Sequence, residues 1–390
     1  MLHVLYLVHD VSDPAVRRRI IMLKAGGAEV TLAGFRRSVS PIADVEGLRP
    51  IDLGATRDGR FGQRLTAVAR AAVSIGSKLG SMPRPDLIIA RNLEMLALAR
   101  RAPSAFQASV PIVYECLDIH RLLLRDDLLG KAMRGTERYL ARDVKLLVTS
   151  SPAFIANYFK PFGQVAAPVE LLENKYFETA AMSPDDGIAA ENPVAPPWRI
   201  GWFGALRCRR SLELLAEFSR RLDGRVEIVL RGRPALSEFP DFHGFVEAEP
   251  WLSFGGPYRN PEDMAAIYRE VHFSWAIDFF EQGLNSEWLL PNRLYEGCRF
   301  GAVPISMGNT ETGRFLDRQG IGVLLPQATP EALEAALGDM EEHHFATLRA
   351  RVLARNPRTW SHDRGDCRAL VEKLRGLASV PDPYAAEALA

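Results

Sequence analysis

Short apolar runs alternate with amphipathic segments through the first half of the chain, and the alternation then begins again. Val4–Val8 reads as a strand. Asp13 and Pro14 open a helix over Pro14–Ala25, which Gly26 and Gly27 stop. Glu29–Ala33 is the next strand, and Asp86–Ala90, Pro111–Glu115 and Lys145–Thr149 follow, each with a helix after it. Strand, helix and strand in series predict a parallel sheet with helices on both faces. No G-x-G-x-x-G follows the first strand, which argues against a dinucleotide cofactor.

The stretch Thr179–Trp198 carries Pro184, Pro193, Pro196 and Pro197 among small and acidic residues and reads as a linker. Beyond it the pattern restarts, with strand Arg199–Phe203, helix Leu212–Arg221, and strands Val226–Leu230 and Leu252–Phe254. Asn260 and Pro261 suit a helix start, Val271–Ile277 is a strand, and Ile321–Leu325 is the last one before a helix at Thr329. A helical tail is expected over Phe345–Leu377. The expected fold is therefore α/β, with two Rossmann-like domains facing across a cleft. Their expected bounds are 1–178 and 199–345, with a linker at 179–198 and a tail at 346–390. Open parallel sheets bind ligands at the carboxyl ends of their strands.

Charge narrows the setting. Residues 1–180 hold 25 Lys and Arg against 18 Asp and Glu, and the remainder holds 23 against 30, so a basic half precedes an acidic one. A basic half suits an anionic partner. Arg60–Arg84 has five basic residues and no acid, with Phe61, Leu65, Val68, Ala72, Ile75 and Leu79 on one helical face. That segment reads either as an ordinary helix covering the sheet or as one that meets anionic lipid. The pairs Arg36-Arg37 and the run Arg17-Arg18-Arg19 add to the basic character. Four scattered cysteines with no C-x-x-C argue against a disulfide framework or a zinc site and fit a reducing cytoplasm. Met1–Val8 lacks a basic flank and reads as a strand rather than a signal peptide. No apolar run reaches the roughly 18 residues of a membrane span. A cytoplasmic protein, peripheral on the inner membrane, is expected, with no nucleic-acid partner.

The densest chemistry lies in Asn285–Met307, NSEWLLPNRLYEGCRFGAVPISM. Asn292 starts a helix ended by Gly301, and a buried strand follows. Arg293 there suits a phosphate and Glu296 a pair of ribose hydroxyls. The run RLYEGCRFGAVPI resembles the xLxEAxAxGxPVI signature of GT-B glycosyltransferases, family 4-like, and with GWFGALRCRRSL is similar to bacterial exopolysaccharide glycosyltransferases of the succinoglycan type. The resemblance implies that Glu296 holds the donor ribose, and that Gly204, Arg207 and Arg210 hold its diphosphate, with Arg209 as a further option. It also places Asn292 and Arg293 at the donor and Gly232, in the turn Arg231–Pro234, near the base. The family's second Glu, eight positions before the first, falls on Trp288, with Glu287 one place away.

Catalytic candidates come from strand ends in the first half. His9 and Asp10 end the first strand, and Asp118 and His120 follow a middle one in PIVYECLDIH, which is similar to the family's VYDxHE segment. Asp118 falls on the family's acidic position, so it is the preferred base for an acceptor hydroxyl. The implied activity is transfer of a sugar from a nucleotide diphosphate, a UDP-sugar, to a glycan or lipid-linked acceptor. The donor is a substrate, and neither cofactor nor metal cluster is expected. A nucleotide-sugar 2-epimerase of the same fold and a non-enzymatic sugar-binding protein are the alternatives.

Overall fold

The structure, a computed structural model, describes residues 1–56, 61–106, 108–178 and 195–379. The chain forms two compact units, Met1–Glu173 together with the segment from Asp363, and Asn174–His362.

The first unit contains a seven-stranded sheet of β1 (Leu2–Val8), β2 (Ala28–Arg36), β3 (Ile51–Ala55), β4 (Leu87–Arg91), β5 (Ile112–Cys116), β6 (Val144–Thr149) and β7 (Val169–Leu171). Their spatial order is β3-β2-β1-β4-β5-β6-β7, and every pairing is parallel. Every residue of β1 and of β4 is buried, as expected of strands covered on both faces. β3 escapes the sequence reading because an edge strand is half exposed and has no continuous apolar run; Asp52 and Gly54 interrupt it. The helix Pro14–Ala25 starts where expected, with Asp13 Oδ1 accepting from the Ala15 N–H at 2.8 Å. The chain lays down β1, β2 and β3 outward on one side, then returns to place β4 against the other side of β1. The ends of β1 and β4 thus flank a topological switch point.

The second unit repeats this plan with six parallel strands, β9 (Trp198–Leu206), β10 (Val226–Pro234), β11 (Leu252–Phe254), β12 (Phe273–Trp275), β13 (Val303–Met307) and β14 (Val323–Leu325). Their order is β11-β10-β9-β12-β13-β14, so the switch point lies between β9 and β12. Its core is built on Trp198, Trp202, Trp275 and Phe273. A short parallel pair, β8 (Tyr176–Phe177) with β15 (Ser361–His362), completes the unit.

Several expectations are corrected. The helix expected at Asn260 begins at Met264, with Asp263 in the cap position. Asn260 instead turns its amide to Glu296. Pro291 rather than Asn292 occupies the cap position of the helix Asn292–Arg299, which therefore starts without a side-chain cap. The expected continuous tail is broken. Helix Glu342–Leu353 gives way to a turn at Pro357, where the ring removes a helical donor, then β15, then helix Arg364–Ala378. That last helix belongs to the first unit, against Gly26, where a Cβ would fall 2.3 Å from the Cys367 carbonyl oxygen. The unit boundaries at 173 and 362 therefore differ from the expected ones at 178 and 345. Residues 179–194 of the expected linker lie outside the described residues; Trp198, its last, is the first residue of β9.

Candidate functional site

In the second unit the carboxyl ends of β9 and β10 stand side by side, Gly204 opposite Gly232. Both have positive φ, +111° and +132°. A Cβ on Gly232 would lie 1.9 Å from the Gly204 carbonyl oxygen, so the close approach needs glycine at 232, while at 204 it is the positive φ that favours glycine. Just past β9, Arg207 Nη2 donates to Asp278 Oδ2 at 3.3 Å, and its guanidinium lies 4.6 Å above the Phe280 ring. Asp278 follows β12. Arg293 comes within 4.0 Å of the same carboxylate oxygen and donates to the Ile277 carbonyl at 2.8 Å. Burial pushes the Asp278 carboxyl up, but Arg293 and then Arg207 outweigh it and hold the group below the carboxylate range. Arg210 pairs with Gln282 and lies 4.4 Å above the Phe279 ring.

Glu296 is buried, 3% exposed, in the helix Asn292–Arg299, and accepts from Asn260 Nδ2 at 2.8 Å. The helix can approach β12 because residue 297 is glycine; a Cβ there would sit 2.8 Å from that of Ser274. Tyr258 connects the two parts. A Cβ on Gly204 would meet its hydroxyl at 3.8 Å, and burial, then the Glu296 charge, push that phenol well above its ordinary value. Of the expected donor residues, the structure thus brings Gly204, Gly232, Arg207, Arg293 and Glu296 into one linked set, with Arg210 beside it. Asn292 is the first residue of the helix that carries Arg293 and Glu296. Glu287, whose carboxylate accepts from the Gly283 N–H at 3.0 Å, lines a recess with Asp278, Ser306, Thr310 and Thr312.

The first unit's switch point carries different chemistry. His9 follows β1, and its Nδ1 lies 3.3 Å from Asn92 Nδ2 at the end of β4. His9 Nε2 faces Asp13 Oδ2 at 3.9 Å. Arg91 Nη2 donates to that Asp13 oxygen at 3.4 Å, while its Nη1 reaches the Tyr6 hydroxyl at 3.1 Å and Glu115 at 3.4 Å. Glu115 also accepts from Arg19 Nε at 2.6 Å and from the Tyr6 hydroxyl at 2.5 Å. Burial opposes ionisation of Glu115, yet Arg19, Arg91 and Tyr6 together hold its carboxyl below the usual range. Asp13 is likewise held low, by Arg91 and then His9 against its burial. Burial sets His9 below the ordinary imidazole value.

The other expected catalytic residues are placed differently. Asp10 is a buried turn anchor, accepting from the Ser12 N–H at 2.9 Å and its hydroxyl at 2.7 Å and paired with Arg37 at 2.9 Å. His120 Nδ1 accepts from the Leu122 N–H at 3.3 Å and so caps a 3-10 turn. Asp118 is exposed beyond β5. The basic face is largely paired: Arg17 with Glu46, Arg36 with Asp52 and Arg64 with Glu94. In helix Phe61–Leu79, Val68, Ala71, Ile75 and Leu79 are buried while Leu65 and Val73 are exposed. Arg60 lies outside the described residues. Among those residues no helix is long and apolar enough to cross a membrane. One group there brings three possible metal ligands within 4.8 Å of one another, Glu341, His343 and His344; the sequence reading took the histidines as scattered. All three are exposed, beside a helix start rather than at strand ends.

The chain is 58% identical over 385 residues to the succinoglycan biosynthesis protein ExoL of Rhizobium meliloti (strain 1021), covering 97% of this chain and 94% of that protein. The chain belongs to the ExoL family. No protein-family model matches it. Among solved structures it is similar to sucrose-phosphate synthase from Thermosynechococcus elongatus, with a TM-score of 0.71 at 14% identity over 97% of this chain and 99% of that one. Anabaena HepE in complex with UDP and glucose gives 0.66 at 12% identity, over 96% and 100% of the two chains. The lipopolysaccharide outer core galactosyltransferase WaaB gives 0.55 at 14% identity, over 95% of each. The chain has the GT-B fold of these structures, and its relative ExoL is a protein of succinoglycan biosynthesis.

Sequence reasoning missed Asp13, Arg91 and Asn92 as site residues. Asp13 reads as a helix cap, which it also is. Asn92 carries one local signal only in the structure, a φ of +70° with ψ 169° on a residue that is not glycine. Asn260 was legible as a turn residue, but not as the partner of a glutamate 36 positions away.

Proposed function

We propose that the chain transfers a sugar from a UDP-sugar to a glycan or lipid-linked acceptor in exopolysaccharide assembly. The observation that carries this reading is the convergence of Arg207 and Arg293 on Asp278 at the second switch point, with buried Glu296 close by. In this reading the donor diphosphate takes the place of Asp278 as the arginines' partner. Both guanidinium groups then face the charge that grows on the leaving diphosphate, which lowers the barrier electrostatically. Glu296 accepts from the ribose hydroxyls, and Gly204 and Gly232 let backbone approach the nucleotide. The nucleotide sugar is a substrate, and the reaction as proposed uses no cofactor. Anabaena HepE, of the same fold, is solved with UDP-glucose, which supports the choice of donor.

The acceptor side of the proposal is a lipid-linked sugar at an anionic membrane surface. The net positive charge of residues 1–180 and the exposed Leu65 and Val73 support it. Co-sedimentation with phosphatidylglycerol vesicles, and none with phosphatidylcholine vesicles, is the expected result. The donor reading is tested by calorimetry with UDP. Glu296→Ala should weaken binding by about 1–3 kcal/mol, the scale of a lost charge-assisted hydrogen bond. Equal affinity in both proteins removes Glu296 from the site. Conversion of a UDP-sugar to its 2-epimer would overturn glycosyl transfer as the reaction.

A further inference from the structure

We propose that Asn260 is a positioning residue for the donor, its amide holding the Glu296 carboxylate in the plane that meets both hydroxyls of a ribose. The inference rests on the donor reading above and deepens it, by naming what sets the site's preference for a ribonucleotide. Every residue involved belongs to the second unit. Three observations carry it.

The first is a local role given up. Asn260 stands just ahead of Pro261 and a helix, where an asparagine ordinarily caps. Here the cap position falls three residues later, on Asp263, and the Asn260 amide crosses to a carboxylate 36 positions along the chain, Nδ2 donating to Glu296 Oε1 at 2.8 Å. The second is how the turn is held. The Arg259 N–H donates to Asp263 Oδ2 at 2.7 Å, Arg259 Nη2 donates to Oδ1 at 3.0 Å, and the Asp263 N–H donates back to the Arg259 carbonyl at 3.0 Å. Asn260 lies inside that closed turn, so a fixed backbone presents its side chain. The third is what shares the loop. Tyr258, two residues earlier, has its hydroxyl 3.8 Å from where a Cβ on Gly204 would lie, and the Glu296 charge acts on that phenol. One loop therefore reaches both the strand end at Gly204 and the carboxylate of Glu296.

The role follows from the chemistry of the two groups. The last torsion of a glutamate is broad, so its partners set the plane of the carboxylate. An N–H on Oε1 fixes that plane for Glu296, which is buried in the helix Asn292–Arg299. A carboxylate oxygen that accepts one hydrogen bond keeps lone-pair capacity for another. An amide also suits the task because it is neutral. A lysine or arginine in its place would neutralise the carboxylate and compete with the nucleotide for it, whereas Nδ2 orients Glu296 and leaves its charge for the ligand. Two vicinal hydroxyls donate to a carboxylate only when its plane faces them. A nucleotide without those hydroxyls leaves a buried charge short of partners, and sites of that kind discriminate strongly. Asn260 thus acts on the ratio between nucleotides, through the aim of Glu296.

The experiment is calorimetry on the full chain with UDP and with its dideoxy analogue, which lacks both ribose hydroxyls. The wild type should bind UDP at least about tenfold more tightly than the analogue. Asn260→Ala should weaken UDP about tenfold, the scale of one lost charge-assisted hydrogen bond, and leave the analogue nearly unchanged, so that the ratio falls toward one. Asn260→Asp keeps the shape of the side chain and removes the donor. At about pH 8, where a carboxyl is ionised, it should lose the ratio as fully as the alanine variant does, and it stands in where that variant fails to fold. A purely structural role would weaken both nucleotides alike and leave the ratio as it was. That result, or wild-type UDP affinity in Asn260→Ala, overturns the proposal. The donor reading survives either one as long as Glu296→Ala still lowers UDP affinity. Absence of UDP binding in the wild type would sink the donor reading, and this inference with it.

Discussion

Arg91 at the first switch point is only 6% exposed and is shared among Asp13, Tyr6 and Glu115; Arg207 at the second keeps 39% of its side chain open and has Asp278 and the Phe280 ring as partners. The two positions are alike in topology, each beside the first strand of a sheet whose order reverses there. They differ in how much of the charge is already satisfied. A buried guanidinium with three partners is committed to holding its neighbours, while a half-open one can trade a carboxylate for a phosphate. The fold thus keeps one arginine buried and committed at one switch point and leaves another half open at the other.

Arg91→Ala should give the largest effect. It leaves Glu115 and Asp13 short of a partner and should cost about 3–5 kcal/mol, measured by urea unfolding. Arg207→Ala should cost less than about 1 kcal/mol, since its pair is partly solvated. Equal losses would erase the distinction between the two switch points. Gly232→Ala comes next. Its positive φ and the contact with the Gly204 carbonyl should destabilise the second unit by about 1–3 kcal/mol, where Gly135→Ala, on a helix with open space around it, should not. Lys in place of Arg207 or Arg210 should leave stability unchanged and impair turnover, because a point charge does not reproduce the fork. Full activity in both Lys variants would make that loop a basic surface turn.

Two smaller effects sharpen the comparison. Asn92→Gly relieves the strained backbone and should raise stability by about 1 kcal/mol. A Tm that stays put or falls would show that the strain is absent. The pH dependence of stability gives the second. Glu115, Asp13 and Asp278 are buried, which alone would raise them, but their arginines hold them below the carboxylate range. Their stabilisation is fully present above the unfolded value near 4 and is lost as pH falls through the lower folded values. In Arg91→Ala the folded values of Glu115 and Asp13 rise toward the unfolded one, so less stability should be lost on acidification below about pH 4 than in Arg207→Ala.

Much of this was legible beforehand. The continuous apolar runs of β1, β4 and β5 and the cap at Asp13 are local signals, and local signals carry strands, helices and their starts. That Gly204, Arg207, Arg293 and Glu296 sit within a few residues of a strand or helix boundary was also legible, while the donor roles expected of Gly204 and Arg207 came from the resemblance. The places where the reading slipped are those where a distant partner overrides a local preference. Asn260 looks like a cap and serves Glu296; the tail looks like one helix, yet Ser361–His362 leaves it to pair with Tyr176–Phe177.

The sequence by itself determined two runs of strand and helix, the signature at Arg293–Ile305 and the family it points to. The tertiary structure alone decided which strand lies beside β1. His9 and Asp13 are near neighbours along the chain, but Arg91 and Asn92 join them only because β4 enters the sheet on the far side of β1 from β2. Parallel strands are paired across long connections, and no local pattern encodes which two ends will meet. Whether an arginine is buried and committed or open to a ligand is decided at that same step, by the packing around the strand ends.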